Sequence, residues 1–320
     1  MFLNVLLVLA GLAILIKGAD LLVEGGSSLA RRMRVSELTI GLTIVAFGTS
    51  MPELTVNMIN SIAGRNEAVL GNIIGSNIFN LLFILGVAGL MYPLTVQRTS
   101  VRYEVPLSMI AAIAVWLLAN DGRIHGASEN QISRSDSLIL LGGFIFFLYY
   151  IIRTMRPDIT TKGEDAGKVL NKWISVGMVL LGVALLVGGG YLVTENAVAL
   201  AEQLGLSEKL IGLTILAVGT SLPELSTSVV AAYRKNTDIA IGNVIGSNIL
   251  NIFFVTGVSV LIHPISYPIV LNEDLMVLIG GSALLLVFMF TLGRSKLDRW
   301  EAAVFLVAYL AYTVYLIIRN

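Results

Sequence analysis

The sequence repeats itself once. IGLTIVAFGTSMPE at residues 40–53 returns as IGLTILAVGTSLPE at 211–224, identical at 11 of 14 positions, and GNIIGSNIFN at 71–80 returns as GNVIGSNILN at 242–251, identical at 8 of 10. Both blocks keep one offset of 171 residues, with no insertion between them. Such a chain folds as two related halves, and whatever one block builds, its copy builds a second time.

The segments around these blocks are strongly apolar. Residues 3–16, 104–119, 137–152, 173–193, 275–292 and 302–318 are near-continuous hydrophobic runs, in a chain that is 56% hydrophobic and only 13% charged. A soluble domain carries roughly 25% charged residues, and crossing a bilayer takes about 20 mostly apolar residues. The pattern predicts an all-α integral membrane protein, with lipid as its surroundings and ten transmembrane helices at about 2–26, 36–63, 67–91, 102–119, 135–153, 172–200, 207–233, 238–262, 274–292 and 298–318. Residues 1–153 form one five-helix repeat and 172–320 the other, joined by a polar linker at 154–171. Five is odd, so the second repeat enters the membrane from the opposite face. The repeats are then inverted, with the matching blocks meeting near the midplane as discontinuous helices.

Basic residues orient the chain. Fifteen of the 21 lysines and arginines fall in loops on one side and five on the other, with Lys17 inside the first helix. The richer side is expected to be cytoplasmic. That makes the linker cytoplasmic and both termini extracellular, in a plasma (inner) membrane. The apolar N-terminal stretch lacks a basic lead and a small-residue cleavage site and reads as a retained helix. Zero net charge suggests no nucleic-acid partner, and the absence of cysteine rules out disulfides and thiolate metal sites. His125 and His263 fall between apolar runs and read as loop residues. Lys17 and Asp20, three apart, are positioned to pair, and Glu24 has a repeat counterpart in Glu195. All four read as helix-end or gating residues.

The repeated blocks carry the chemistry. Pro52 has no amide hydrogen and crowds the carbonyl of Gly48, and Met51 before it is pushed away from helical geometry. The helix should break near residues 48–51, freeing carbonyls around Ala46, Phe47 and Thr49. Pro223 and Gly219 do the same around Ala217 and Thr220. Glu53 and Glu224 follow the prolines directly. A carboxylate in mid-membrane costs from ~2.5 to well over 10 kcal/mol, and the nearest basic residue in sequence, Lys235, is eleven positions from Glu224. A bound cation or an exchangeable proton is the better partner. Asn72, Ser76 and Asn80 lie at i, i+4 and i+8, one stripe on a helix, and Asn243, Ser247 and Asn251 repeat it. Ser76, Asn80, Ser247 and Asn251 read as ligands, whereas Asn72 and Asn243 suit ligation or interhelical bonding equally. Gly71 with Gly75, and Gly242 with Gly246, read as packing positions. Two carboxylates with carbonyls, hydroxyls and amides form an all-oxygen set, which suits hard cations such as Ca²⁺. Ser50 and Ser221 have no histidine or lysine close by in sequence, so no nucleophile–base pair argues for an enzyme, and no organic cofactor is called for.

On these residues the sequence resembles the calcium:cation antiporters, specifically the prokaryotic sodium/calcium exchangers, whose two α-repeats are similar to GTSMPE with GNIIGSNIFN and GTSLPE with GNVIGSNILN. The resemblance implies a secondary antiporter exchanging Ca²⁺ for Na⁺ by alternating access, working as a monomer. Four helices would hold one calcium site flanked by sodium sites, with the first and sixth sliding across them. Glu53 and Glu224 become the central carboxylates, and the carbonyls of Thr49 and Thr220 complete the calcium site. Ser50, Ser76, Ser221 and Ser247, with the carbonyls of Ala46 and Ala217, serve the sodium sites, and Asn80 and Asn251 lie beside the centre. Some members carry Asp where this chain has Asn251. The alternative is exchange of Ca²⁺ or another cation for H⁺. The proton-coupled branch typically has an acidic residue soon after the Gly-Asn pair, where this chain has Gly75-Ser76 and Gly246-Ser247, which favours sodium.

Overall fold

The computed structural model describes residues 2–97, 102–120, 130–154, 170–204, 217–291 and 295–319. Proline sets the ends of the two central hairpins. After Met91 and Ile262 the chain reaches Tyr92-Pro93 and His263-Pro264, and the pre-proline residues are extended, at φ −145°, ψ 125° and φ −141°, ψ 121°. Proline disfavours the α region for the residue before it, so both helices stop there.

The helices are α1 (Phe2–Met33), α2 (Glu37–Thr49), α3 (Met51–Ile62), α4 (Asn66–Met91), α5 (Glu104–Ala119), α6 (Arg134–Thr154), α7 (Lys172–Gln203), α8 (Ala217–Gly219), α9 (Leu222–Tyr233), α10 (Thr237–Ile262), α11 (Leu271–Thr291) and α12 (Arg299–Arg319). Among the described residues seven are long and apolar enough to cross a membrane, or eight if α2 and α3, bent by 45°, count as one span. The all-helical membrane expectation holds. The 36–63 helix is two helices, and α1 runs on past residue 26 to Met33. Of the expected 207–233 helix, α8 and α9 are described. His125 and residues 155–169 of the linker lie outside the described residues.

Two features are added to the all-α expectation. Downstream of the prolines, β1 (Leu94–Thr95) pairs antiparallel with β4 (Lys296–Leu297), and β2 (Gln131–Ile132) pairs with β3 (Ile265–Ser266). These two-residue ribbons tie the end of α4 to the start of α12 and the end of α10 to the start of α6. The second feature is a widened π-helical turn at Phe79–Ile84 and again at Leu250–Val255, positions related by the 171-residue offset. Such turns concentrate at functional sites, and here each contains the last asparagine of the repeated block.

Burial separates core from rim. In α4 and α10, 78% of the apolar span is buried inside the protein, against 28% in α1, 33% in α7, 22% in α6 and 17% in α12. The repeated blocks therefore sit at the centre. Helices α1 and α7 lie against each other along a glycine seam: a Cβ on Gly18 would come within 3.0 Å of Gly182 O, and one on Gly189 within 3.1 Å of Gly11 O. Small residues allow this backbone approach between membrane helices. The Ser175 hydroxyl donates to Ser28 Oγ at 2.8 Å on the same interface. Midway along α1, Lys17 lies 3.8 Å from Asp20, as expected, but the stronger partner is Arg234, which bonds Asp20 and lies 3.5 Å from Glu24.

Candidate cation site

Both breaks fall one residue before Met-Pro or Leu-Pro. Ser50 leaves helical geometry at φ −83°, ψ 8°, and Ser221 at φ −91°, ψ 8°. Pro52 and Pro223 then occupy the first turns of α3 and α9, where a missing amide hydrogen costs nothing. Those turns carry Glu53 and Glu224, and both residues are fully buried.

The glutamates are held crosswise. Ser50 Oγ donates to Glu224 Oε1 at 2.9 Å, and Ser221 Oγ donates to Glu53 Oε1 at 3.0 Å. Each break thus fixes the carboxylate of the opposite repeat, and Ser247 Oγ adds a 3.4 Å contact to Glu224 Oε1. Glu53 Oε2 and Glu224 Oε2 are buried and accept no hydrogen bond from any described residue. Neither carboxylate forms an ion pair with a described lysine or arginine. The same state is found at the asparagines: Asn80 Oδ1 and Asn251 Oδ1 are buried without a donor, while Asn251 Nδ2 reaches Ser76 Oγ at 3.3 Å. Buried polar atoms in native proteins are nearly always paired. These four buried acceptor oxygens, from four elements and without a donor among the described residues, are the candidate cation ligands. Among the described residues no cluster of three His, Asp or Glu exists, so the acidic charge of this centre comes from the glutamate pair.

The carbonyl expectation is corrected at one position. Ser50 N still donates to Ala46 O at 3.0 Å, and Thr49 Oγ1 approaches it at 3.2 Å, so Ala46 O keeps its helical partner. The first break opens at Gly48, whose would-be donor is the missing amide of Pro52. In the second repeat Ser221 N reaches only back to Val218 O, at 3.1 Å. Ala217 begins α8, and Thr220 is half-buried beside the break.

These elements place this chain among known proteins. A family model described as sodium/calcium exchanger protein matches residues 3–153 and 174–318. The chain belongs to the sodium/calcium exchanger family. It is 35% identical over 320 residues to the putative antiporter CaxA of Alkalimonas amylolytica, covering 98% of both chains. It is 33% identical to the sodium/calcium exchanger MaX1 of Methanosarcina acetivorans, again over 98% of each. A solved structure of the sodium-calcium exchanger NCX_Mj superposes with a TM-score of 0.83 at 30% identity, over 97% of each chain. The family is one of antiporters, and this chain is a multi-pass membrane protein of that family.

One pair of residues in this chain escaped the sequence reading, and a second was left open by it. Asn77 and Asn248, one position off the Asn-Ser-Asn stripe, are fully buried with Oδ1 unpaired, while Asn77 Nδ2 bonds Ile73 O at 2.6 Å and Asn248 Nδ2 bonds Asn77 O at 3.3 Å. Their place inside the repeated GSN triplet was the available signal. Asn72 and Asn243, left open between two roles, each accept a hydroxyl from the other repeat: Thr220 Oγ1 donates to Asn72 Oδ1 at 3.3 Å and Thr49 Oγ1 to Asn243 Oδ1 at 3.0 Å.

Proposed function

We propose that this protein exchanges Ca²⁺ for Na⁺ across the membrane by alternating access. The observation that carries the reading is the glutamate pair: Glu53 and Glu224 are fully buried, held by serines of opposite repeats, and each leaves one oxygen without a partner. Two carboxylates balance one Ca²⁺, and Na⁺ of nearly equal radius uses the same oxygens. Carbonyls of Thr49 and Thr220 with the amide oxygens of Asn80 and Asn251 complete six to eight ligands for calcium. Ser50, Ser76, Ser221 and Ser247, with the carbonyls of Ala46 and Ala217, serve flanking sodium sites. Ala46 O keeps a second lone pair for this, since the single Thr49 hydroxyl proton goes to Asn243 Oδ1 and leaves Ser50 N as the one donor to that carbonyl.

The scaffold in this proposal is two inverted five-helix repeats, residues 1–153 and 172–320, with ten spans, both termini outside and the 154–171 linker in the cytoplasm of a prokaryotic cell. A monomer contains both halves of the site. The MaX1 and NCX_Mj names support sodium as the counter-ion. Calcium uptake into proteoliposomes, with and without an opposing sodium gradient at fixed pH, tests this reading. Uptake that follows the sodium gradient supports it. Uptake indifferent to sodium and driven by a proton gradient contradicts it.

A further inference from the structure

The Gly-Asn asparagines of the two blocks have equivalent positions and unequal surroundings. Asn243 is fully buried and uses both ends of its amide. Its Oδ1 accepts from Thr49 Oγ1 at 3.0 Å, and its Nδ2 donates to Ser228 Oγ at 2.9 Å and to Glu224 O at 3.2 Å. The orientation is fixed by chemistry, because a flipped amide would set its oxygen against the carbonyl of Glu224. Asn243 therefore bridges the break of the first repeat and the backbone of the glutamate in the second. These bonds account for three of the four that the amide can make. In the first repeat, Asn72 accepts from Thr220 Oγ1 at a longer 3.3 Å and its Nδ2 has no partner among the described residues. The carbonyl equivalent to Glu224 O, that of Glu53, is taken instead by Asn57 Nδ2 at 2.8 Å.

Thr49 and Thr220 sit at the open turns, beside Ser50 and Ser221, where the helical ladder no longer fixes the peptide planes. A side chain anchored to the opposite repeat supplies that constraint. We propose that Asn243 and, more weakly, Asn72 are positioning residues rather than ion ligands, each fixing the threonine of the opposite repeat so that its main-chain carbonyl faces the site. The proposal rests on the exchange reading above, and it assigns calcium affinity to two residues that touch no ion.

The test uses the full-length protein in proteoliposomes, comparing Asn243→Ala, Thr49→Val, the double variant and Asn72→Ala with the wild type for apparent KM and maximal rate of sodium-driven calcium uptake. Losing the buried threonine–asparagine bond is expected to raise the apparent KM about tenfold in Thr49→Val, and at least as much in Asn243→Ala. The maximal rate should stay within about twofold, and the double variant should be no worse than Asn243→Ala alone, which already removes the threonine bond together with those to Ser228 Oγ and Glu224 O. Asn72→Ala should raise the KM by only about two- to threefold. If Asn243→Ala does not fold, Thr49→Val, which keeps the side-chain shape, carries the test alone. Multiplying effects in the double variant, a lost rate with unchanged KM, an unaffected Thr49→Val, or an Asn72→Ala effect as large as that of Asn243→Ala would each overturn the proposal. Wild-type protein without sodium-dependent calcium uptake would instead defeat the exchange reading.

Discussion

The two repeats share their chemistry and differ in how tightly they close. In the second, α10 presents Gly242 and Gly246 to α2: an added Cβ on Gly242 would lie 2.9 Å from Leu38 O, and one on Gly246 would lie 2.8 Å from Leu42 O and from the Ala46 Cβ. In the first, Gly71 is exposed, Gly75 and Asn72 are half-buried, and added Cβ atoms on the two glycines would meet no described residue within 4 Å. Around near-identical sequences the described residues enclose the second edge, while residues 205–216, which hold the repeat counterpart of Leu38–Val45, lie outside the described residues. The ion pairs follow the same asymmetry, because Arg234 fastens α1 to the α9 end beside the closed edge, while the equivalent position in the first repeat is Ala63.

The carboxylates should ignore this asymmetry. Glu53→Gln and Glu224→Gln are each expected to abolish calcium transport while the purified proteins stay monodisperse, because removing one charge leaves a divalent ion half-compensated in a low-dielectric site. Wild-type uptake by either variant would break the equivalence of the two halves. Acid acts on both glutamates together. As pH falls from about 8 to about 5, protons compete for the same oxygens, so the apparent calcium Kd should rise while the maximal rate is unchanged; a flat binding curve would remove the glutamates from the site.

The glycines should report the asymmetry directly. Gly246→Ala forces a methyl into backbone and is expected to cost about 1–3 kcal/mol of stability, seen as a lower thermal unfolding midpoint, whereas Gly75→Ala should leave that midpoint nearly unchanged. Equal losses would mean that the first edge is as closed as the second. The smallest effect belongs to the hairpin turns. Gly64 and Lys235 are equivalent positions with φ of 68° and 61°, a left-handed region that costs a side chain about 1–2 kcal/mol. Lys235→Gly should therefore stabilise slightly, by up to about 1 kcal/mol after the unfolded-chain entropy of glycine is counted, while Gly64→Ala should destabilise.

Much of this was legible in the residues. Proline at 52 and 223 marked the breaks, because proline acts through its own ring and missing hydrogen; Pro93 and Pro264 end α4 and α10 by the same means and went unread. The carboxylates stood out because charge is costly in an apolar run. The state of Ala46 O was not legible: whether the ladder fails at residue 46 or at Gly48 depends on one amide, that of Ser50, which proline does not touch. Nor were the π-helical turns at Asn80 and Asn251, which no local pattern announces. The crosswise bonds, Ser50 to Glu224 and Thr49 to Asn243, join residues more than 170 positions apart in opposite halves. A repeat shows that two blocks match, yet only the fold shows that each one holds the other's ligands.

Equilibrium calcium binding to the purified protein, at fixed pH and with sodium titrated in, tests the central claim most directly. The glutamate-pair site predicts one calcium bound per chain, released as sodium rises, and no such binding in the Glu53→Gln/Glu224→Gln double variant. Calcium that stays bound at high sodium, or that binds the double variant as it binds the wild type, would contradict it.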